Sequence, residues 1–463
     1  MVGNPLIDFL YLISITLFVV GLKGLSHPES ARKGNLMAAA GMGLAIIVTL
    51  FYPNESFSNN YAWIGGGMVL GAIIGYVAAK KVQMTKMPEM VSVFNGFGGA
   101  CAMLIAIVEF QTLPPETDLM SPQVLIVLFT TFVGSISFLG SMVAYGKLDG
   151  FLRDSIKLPA PQIFNALLLV AIIVLGGFIM TQDSLNFTLI TIFLIMSLVY
   201  GITFVSPIGG GDMPVVISLL NSFTGLGATL AGLIYGNNVM IIGGILVGAS
   251  GTFLTILMCK AMNRSLINVL IGGLGATTLS SSDDKNKVVK EATVADTAIM
   301  LKYAQKVLVV PGYGLAVAQA QHAIHELENM LEKEGVQFKY GIHPVAGRMP
   351  GHMNVLLAEA DVPYDRLLEM EPSNDELPTT DVVMVIGAND VVNPAAKTDQ
   401  GSPIYGMPII DVEIAKNVIV MKRSMRTGYA GIENPLFYND NTKMLFGDAK
   451  DSLNKLKNEI ANV

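Results

Sequence analysis

Cysteine is nearly absent from this chain: Cys101 and Cys259 are the only two in 463 residues. Two thiols cannot build a disulfide framework, and both lie in apolar runs, where they read as packing residues. Histidine is scarce too. None of the five lies in an apolar run long enough to cross a membrane, so those runs lack the side chain best suited to shuttle protons near neutral pH. Lysine and arginine are missing from the same runs. The N-terminus has no basic stretch and no small-residue cleavage pattern after residues 6–20, so no secretory leader is expected. An excess of positive charge is also lacking. The net charge is −7, and all of it belongs to the last 199 residues: residues 1–264 hold 11 Lys+Arg and 11 Asp+Glu, residues 265–463 hold 18 and 25. An acidic C-terminal region argues against a nucleic-acid partner.

The first half does have hydrophobic length. Nine apolar runs, at roughly 5–22, 34–52, 61–79, 89–109, 122–144, 163–181, 186–205, 212–235 and 239–259, each approach the ~20 residues that a bilayer's hydrocarbon core requires. Basic residues gather in alternate loops: Lys23, Arg32 and Lys33; Lys80, Lys81 and Lys86; Lys147, Arg153 and Lys157; then Lys260 and Arg264. The loops between carry acids or no charge. The positive-inside rule then predicts a multi-pass helical membrane bundle with its N-terminus outside and the C-terminal domain inside. Glycine-rich stretches (65–67, 71 and 75; 96, 98 and 99; 225 and 227; 243, 244, 248 and 251) predict close helix packing. Polar groups are costly in such runs, which makes Asn95, Asn221 and Asp212 candidates for a proton path. Asp212, just before Met213-Pro214, reads either as a helix cap or as a titrating carboxylate.

The C-terminal half changes character. Residues 265–300 read as a linker ending in a short helix, 293–302. Residues 307–310 form an apolar strand that breaks at Pro311-Gly312-Tyr313-Gly314, and Ala320, Ala323, Ile324, Leu327, Met330 and Leu331 then recur at helical spacing up to Gly335. Further strands are predicted at 336–340, 381–386, 409–412 and 418–421, with a terminal helix at 449–461. This alternation predicts a doubly wound α/β parallel sheet, Rossmann-like, with its ligand at the carboxyl ends of the strands. The glycine turn departs from the usual dinucleotide fingerprint at Val317. The end of the second strand, Tyr340-Gly-Ile-His343, offers no carboxylate for a ribose 2′-hydroxyl. Lys422, Arg423 and Ser424 follow a later strand, and two cations with a hydroxyl suit a 2′-phosphate, which favours NADP(H). An exposed basic pair is the plainer alternative. His322 and His325 have helical ligand spacing, but no Cys or carboxylate set completes a site, so no metal is expected.

These residues converge on a family. The runs 311–321, 341–360, 385–390, 422–424, 428–431 and 444–450, with Gly211-Asp-Met-Pro-Val-Val216 and Met258-Cys-Lys-Ala-Met-Asn-Arg264, resemble the beta subunit of the proton-translocating NAD(P) transhydrogenases along the whole chain. The resemblance implies an enzyme of the bacterial inner membrane that exchanges hydride between NADH and NADP⁺ and couples the exchange to proton movement. Residues 1–264 would form the proton channel, 265–300 a linker and 301–463 the NADP(H) domain on the cytoplasmic side. NAD(H) would sit on an alpha subunit with further membrane helices, in a dimer of alpha–beta assemblies. By matching positions, the cofactor would meet Gly312, Tyr313 and Gly314; Val345, Ala346, Gly347, Arg348, Met349 and Pro350; Gly387, Ala388, Asn389, Asp390 and Val391; Gly406 and Met407; Lys422, Arg423 and Ser424; and Asp448 and Ala449. Gly428, Tyr429 and Ala430 would close over it as a lid, and Asp390 would link protonation to nucleotide exchange. No side chain need act as acid or base, so no catalytic residue is named. Many members carry a histidine where this chain has Asn95, so the alpha subunit is expected to supply one near Asn95 and Asn221. A transporter gated by a cytosolic dinucleotide-sensing domain would share this outline, but it needs a polar midplane substrate site that these runs scarcely offer. A membrane anchor for a dehydrogenase would need neither Asp212 nor Asn221.

Overall fold

The computed structural model describes residues 5–25, 28–51, 60–114, 117–152, 160–209, 212–271, 288–402, 404–426 and 432–462. The chain divides into two compact units, Met1–Pro207 with Val216–Leu254, and Ile208–Val215 with Thr255–Val463. Among the described residues, nine helices are long and apolar enough to cross a membrane. They are α1 (Pro5–Gly24), α2 (Pro28–Leu50), α3 (Tyr61–Lys81), α4 (Met87–Thr112), α5 (Pro122–Leu148), α6 (Pro161–Met180), α7 (Phe187–Val205), α8 (Met213–Tyr235) and α9 (Asn238–Ala261). Each predicted run falls on one of them.

Glycine lets several of these helices meet at backbone distance. A Cβ on Gly99 of α4 would lie 2.8 Å from Gly134 O of α5, and one on Gly225 of α8 would lie 2.3 Å from Gly248 N of α9. No larger residue fits either crossing. The glycines of α3 behave differently: Gly65, Gly66, Gly67, Gly71 and Gly75 have nothing within 4 Å of a built Cβ. The close packing expected of them is not made by the described residues. Polar groups fasten α4, α5 and α8 together. Ser137 Oγ lies 2.6 Å from Thr224 Oγ1, Thr224 Oγ1 donates to Asn95 O at 3.2 Å, and Asn95 Nδ2 donates to Ile217 O at 3.4 Å. At the end of α5, Lys147 Nζ donates to Val205 O at 3.2 Å, placing a cation against the last carbonyls of α7.

The second unit holds α10 (Leu266–Ile271), α11 (Val294–Lys302), β1 (Lys306–Pro311), α12 (Tyr313–Val317), α13 (Gln321–Lys333), β2 (Gln337–Ile342), α14 (His352–Glu359), β3 (Leu367–Glu369), α15 (Met370–Glu376), β4 (Val382–Ile386), α16 (Ala395–Thr398), β5 (Asn417–Lys422), β6 (Thr442–Phe446) and α17 (Ala449–Asn462). The six strands run in the order β3-β2-β1-β4-β5-β6, all parallel. That is the doubly wound arrangement, with its order reversing between β1 and β4. Val383, Met384, Val385 and Ile386 of β4 are fully buried, as expected of a central strand covered on both faces. Thr293 caps α11 through a capping box with Asp296, and Gly335 closes α13 with φ +88°. The linker joins the sheet as well: Ala292 N donates to Met444 O at 2.9 Å and Met444 N to Lys290 O at 2.8 Å, along the free side of β6.

One expected strand does not form. Ile409, Ile410 and Val412 are buried, but the backbone of this run is satisfied outside any ladder. Asn374 Nδ2 donates to Ile409 O at 3.1 Å, Asp411 N donates to Asn374 Oδ1 at 2.9 Å, and Ile410 N donates to Val391 O at 3.0 Å. Ile410 and Val412 fill the sheet's core cluster from a loop, so their apolar character reflects burial and not strand pairing. Two strands went unforeseen, β3 with three residues and β6 at the sheet edge.

Candidate functional site

The expected nucleotide residues sort by strand. Residues 312–314 follow β1, 345–350 follow β2, 387–391 follow β4, 422–424 end and follow β5, and 448–449 follow β6. All five groups therefore sit at the carboxyl ends of parallel strands, on both sides of the switch between β1 and β4. Gly428, Tyr429 and Ala430 lie outside the described residues.

At the switch the two turns rest on each other. Gly312 N donates to Ile386 O at 2.9 Å and Gly314 N to Gly387 O at 3.0 Å. A Cβ on Gly312 would fall 2.4 Å from Ala388 Cα, and one on Gly387 would fall 2.4 Å from Gly314 Cα. Gly387 also takes φ +67°, a left-handed conformation that glycine adopts without strain. Helix α12 ends at Val317, and α13 starts only at Gln321, after Gln319 at φ 49°. The helical pattern read from Ala320 is thus a second helix, separate from the five-residue turn α12.

The loop after β2 folds over Tyr313. Arg348 Cζ stands 4.3 Å from the Tyr313 ring centroid, and the His352 ring lies 6.1 Å from it. His352 Nδ1 accepts from Arg348 N at 3.0 Å, and Gly347, at φ +106°, leaves no room for a side chain beside His352. Asn389 Nδ2 donates to Asp390 Oδ1 at 2.9 Å, and Asn434 Nδ2 supports the turn by donating to Asn389 O at 3.1 Å. Lys422 Nζ lies 4.7 Å from the Phe437 ring centroid; burial pushes its ammonium below the usual lysine value while Asp390 pulls it back. Arg423 and Ser424 are exposed. Met407 is buried against Ala396, Ile404 and Ile409, and Gly406 takes φ +77°. These groups offer backbone turns at a sheet switch point plus three cations, a donor set that fits a phosphorylated dinucleotide.

The candidate proton-path residues divide. Asn95 and Asn221 belong to the first unit, on α4 and α8, and Asn95 reaches the turn of α8 that precedes Asn221. Asp212 belongs to the second unit, where Arg264 Nη1 donates to its two carboxylate oxygens at 2.8 and 3.2 Å.

His343 was not among the expected site residues. It is 1% exposed, its Nε2–H donates to Pro408 O at 2.8 Å and its Nδ1 accepts from Val345 N at 3.2 Å. Both nitrogens suit a neutral ring, and burial pushes its pKa from 6.5 down to about 4. Between those values the unfolded chain binds the extra proton. Stability fully present above the unfolded value is therefore lost as pH falls toward the folded one, by about 3 kcal/mol in all. Calorimetric unfolding of the intact protein should lose its second unit's stability from pH 7 to 4.5, and His343→Gln should flatten that slope.

Known proteins match this arrangement. The family model described as NAD(P) transhydrogenase beta subunit matches residues 7–459. Two relatives named NAD(P) transhydrogenase subunit beta, one from Rhodospirillum rubrum and one from a specified strain of that species, are each 47% identical over 451 residues, 95% of this chain and 96% of the relative. With the family model matching nearly the whole chain and the relatives covered to 96% of their length, the chain belongs to the family of NAD(P) transhydrogenase beta subunits.

Proposed function

We propose that residues 301–463 bind NADP(H), that residues 1–264 form a proton channel joined to them by the linker 265–300, and that nucleotide state and proton movement are coupled. The observation that carries the cofactor choice is the pairing of two strand ends. β5 ends in Lys422 with Arg423 and Ser424 after it, while β2 ends in Ile342 with no carboxylate before His343. A 2′-phosphate is met by two cations and a hydroxyl; a bare 2′-hydroxyl finds no acid.

In this reading the turns at 312–314 and 387–391 hold the pyrophosphate side of the cleft together with residues 345–350, and Arg348 is its cation. Gly406, Met407, Asp448 and Ala449 border the cleft, Gly428, Tyr429 and Ala430 form its lid, and Asp390, beside Lys422, links protonation to release. When bound, the nicotinamide supplies the hydride chemistry. The chain's residues orient it and exclude water, and none acts as acid or base. NAD(H) belongs to an alpha subunit, which also contributes the membrane histidine facing Asn95 and Asn221, and two alpha–beta assemblies pair. The basic loops support a cytoplasmic C-terminal domain. A charge crossing the membrane is worth roughly 2.3 kcal/mol per 100 mV, so a force of ~200 mV could bias NADPH formation on the order of a thousandfold. Titrating the purified protein with each nucleotide tests the cofactor choice: NADP(H) should bind at least about a hundredfold tighter than NAD(H), and equal or reversed preference overturns it.

A further inference from the structure

Asp212, just before α8, and the loop after β2 are far apart in sequence, yet a short series of contacts within the second unit joins them. Arg264 holds Asp212. Its neighbour Asn263 takes φ 48° and its Nδ2 donates to Tyr405 O at 3.2 Å. Gly406, the next residue, takes φ +77°, and a Cβ there would lie 2.1 Å from Asn263 Nδ2 and push the amide aside. Gly406 N is anchored on Ala396 O at 2.7 Å, and Met407 is buried. Two residues on from Gly406, Pro408 O accepts from His343, whose other nitrogen accepts from Val345 N. Val345 opens the loop that carries Arg348. Only two short backbone pieces, 263–264 and 405–408, separate the carboxylate from that loop.

A left-handed asparagine after a helix is by itself an ordinary C-terminal cap. A cap, however, requires only the backbone, whereas this amide side chain is spent on a carbonyl 142 residues away. Resting on the reading that this protein couples NADP(H) to proton movement, we propose that Asn263 is a positioning residue of the coupling. Through residues 405–408 it transmits the state of the Asp212–Arg264 pair to the 343–350 loop. Coupling between sites is carried by packed, hydrogen-bonded chains, and residues 405–408 are held by Asn263 at one end and His343 at the other.

The test uses the protein with its alpha subunit in vesicles, with NADP(H) affinity and hydride exchange measured with and without an imposed pH gradient. Asn263→Gly keeps the left-handed backbone and removes only the amide. It should leave affinity and gradient-free exchange within about twofold, while the gradient's effect on exchange falls roughly fivefold or more. Gly406→Ala should impair the gradient response more in the native background than beside Asn263→Gly, because the overlap involves the Asn263 amide. A full gradient response in Asn263→Gly, or an equal Gly406→Ala defect in both backgrounds, overturns the relay. A native protein that ignores the gradient removes the underlying reading, and the relay falls with it.

Discussion

Replacing Arg423 with alanine should weaken NADP(H) binding by about tenfold to a hundredfold and leave NAD(H) binding unchanged. A charge-assisted contact to phosphate contributes about 1.5–3 kcal/mol, and Arg423 is exposed, so its removal strands no buried partner. The double variant with Lys422→Ala should lose roughly 3–5 kcal/mol of NADP(H) affinity on the same basis. Lys422 is the less clean member. It is half-buried over Phe437 and sits near Asp390, so its loss also exposes that carboxylate to a changed field. Isothermal titration with both nucleotides distinguishes the outcomes. Equal losses for NADP(H) and NAD(H) would mean that the cations do not read the 2′-phosphate.

Gly387→Ala should be the most damaging small substitution in the second unit. Its Cβ would sit 2.4 Å from Gly314 Cα and 2.5 Å from Leu315 N, and the residue holds φ +67°. Backbone atoms cannot swing aside, so the turns after β1 and β4 must separate. The overlap and the left-handed strain together should cost about 3–5 kcal/mol and abolish NADP(H) binding. Gly335→Ala is the control: φ is +88°, but nothing lies within 4 Å of the added carbon. It should cost only about 1 kcal/mol and leave nucleotide binding intact. Thermal unfolding of both variants checks the first quantity, and nucleotide titration the second.

The membrane helices were legible because hydrophobic length has few other causes, and all nine expected runs coincide with helices. The central strands β1, β4 and β5 were legible for a related reason: strands covered on both faces read as continuous apolar runs. The same rule misled at 409–412, where an apolar run is buried in a loop whose carbonyls and amides turn to Asn374 and Val391. β3 was too short to leave a periodic signal, and β6, only five residues long and opening on Thr442-Lys443, neither alternates nor reads as a continuous apolar run. The turns at the strand ends were visible as glycine and asparagine clusters. Their supports, Asn374, Asn434 and His343, were not, because a side chain bonded to a distant backbone leaves no local pattern. The glycines of α3 look like those of α4 and α8 in sequence, yet among the described residues it is those of α4 and α8 that meet a neighbour.

The attachment of Lys290–Ala292 to β6 bears on how the domain is held. An outermost strand with free amides invites a second chain to add to it, and here the polypeptide's own approach has taken that place. The threshold of the domain and its last strand are consequently one mechanical piece. Residues 290–292 are thus tied by two backbone hydrogen bonds to Met444, three residues before Gly447-Asp448-Ala449.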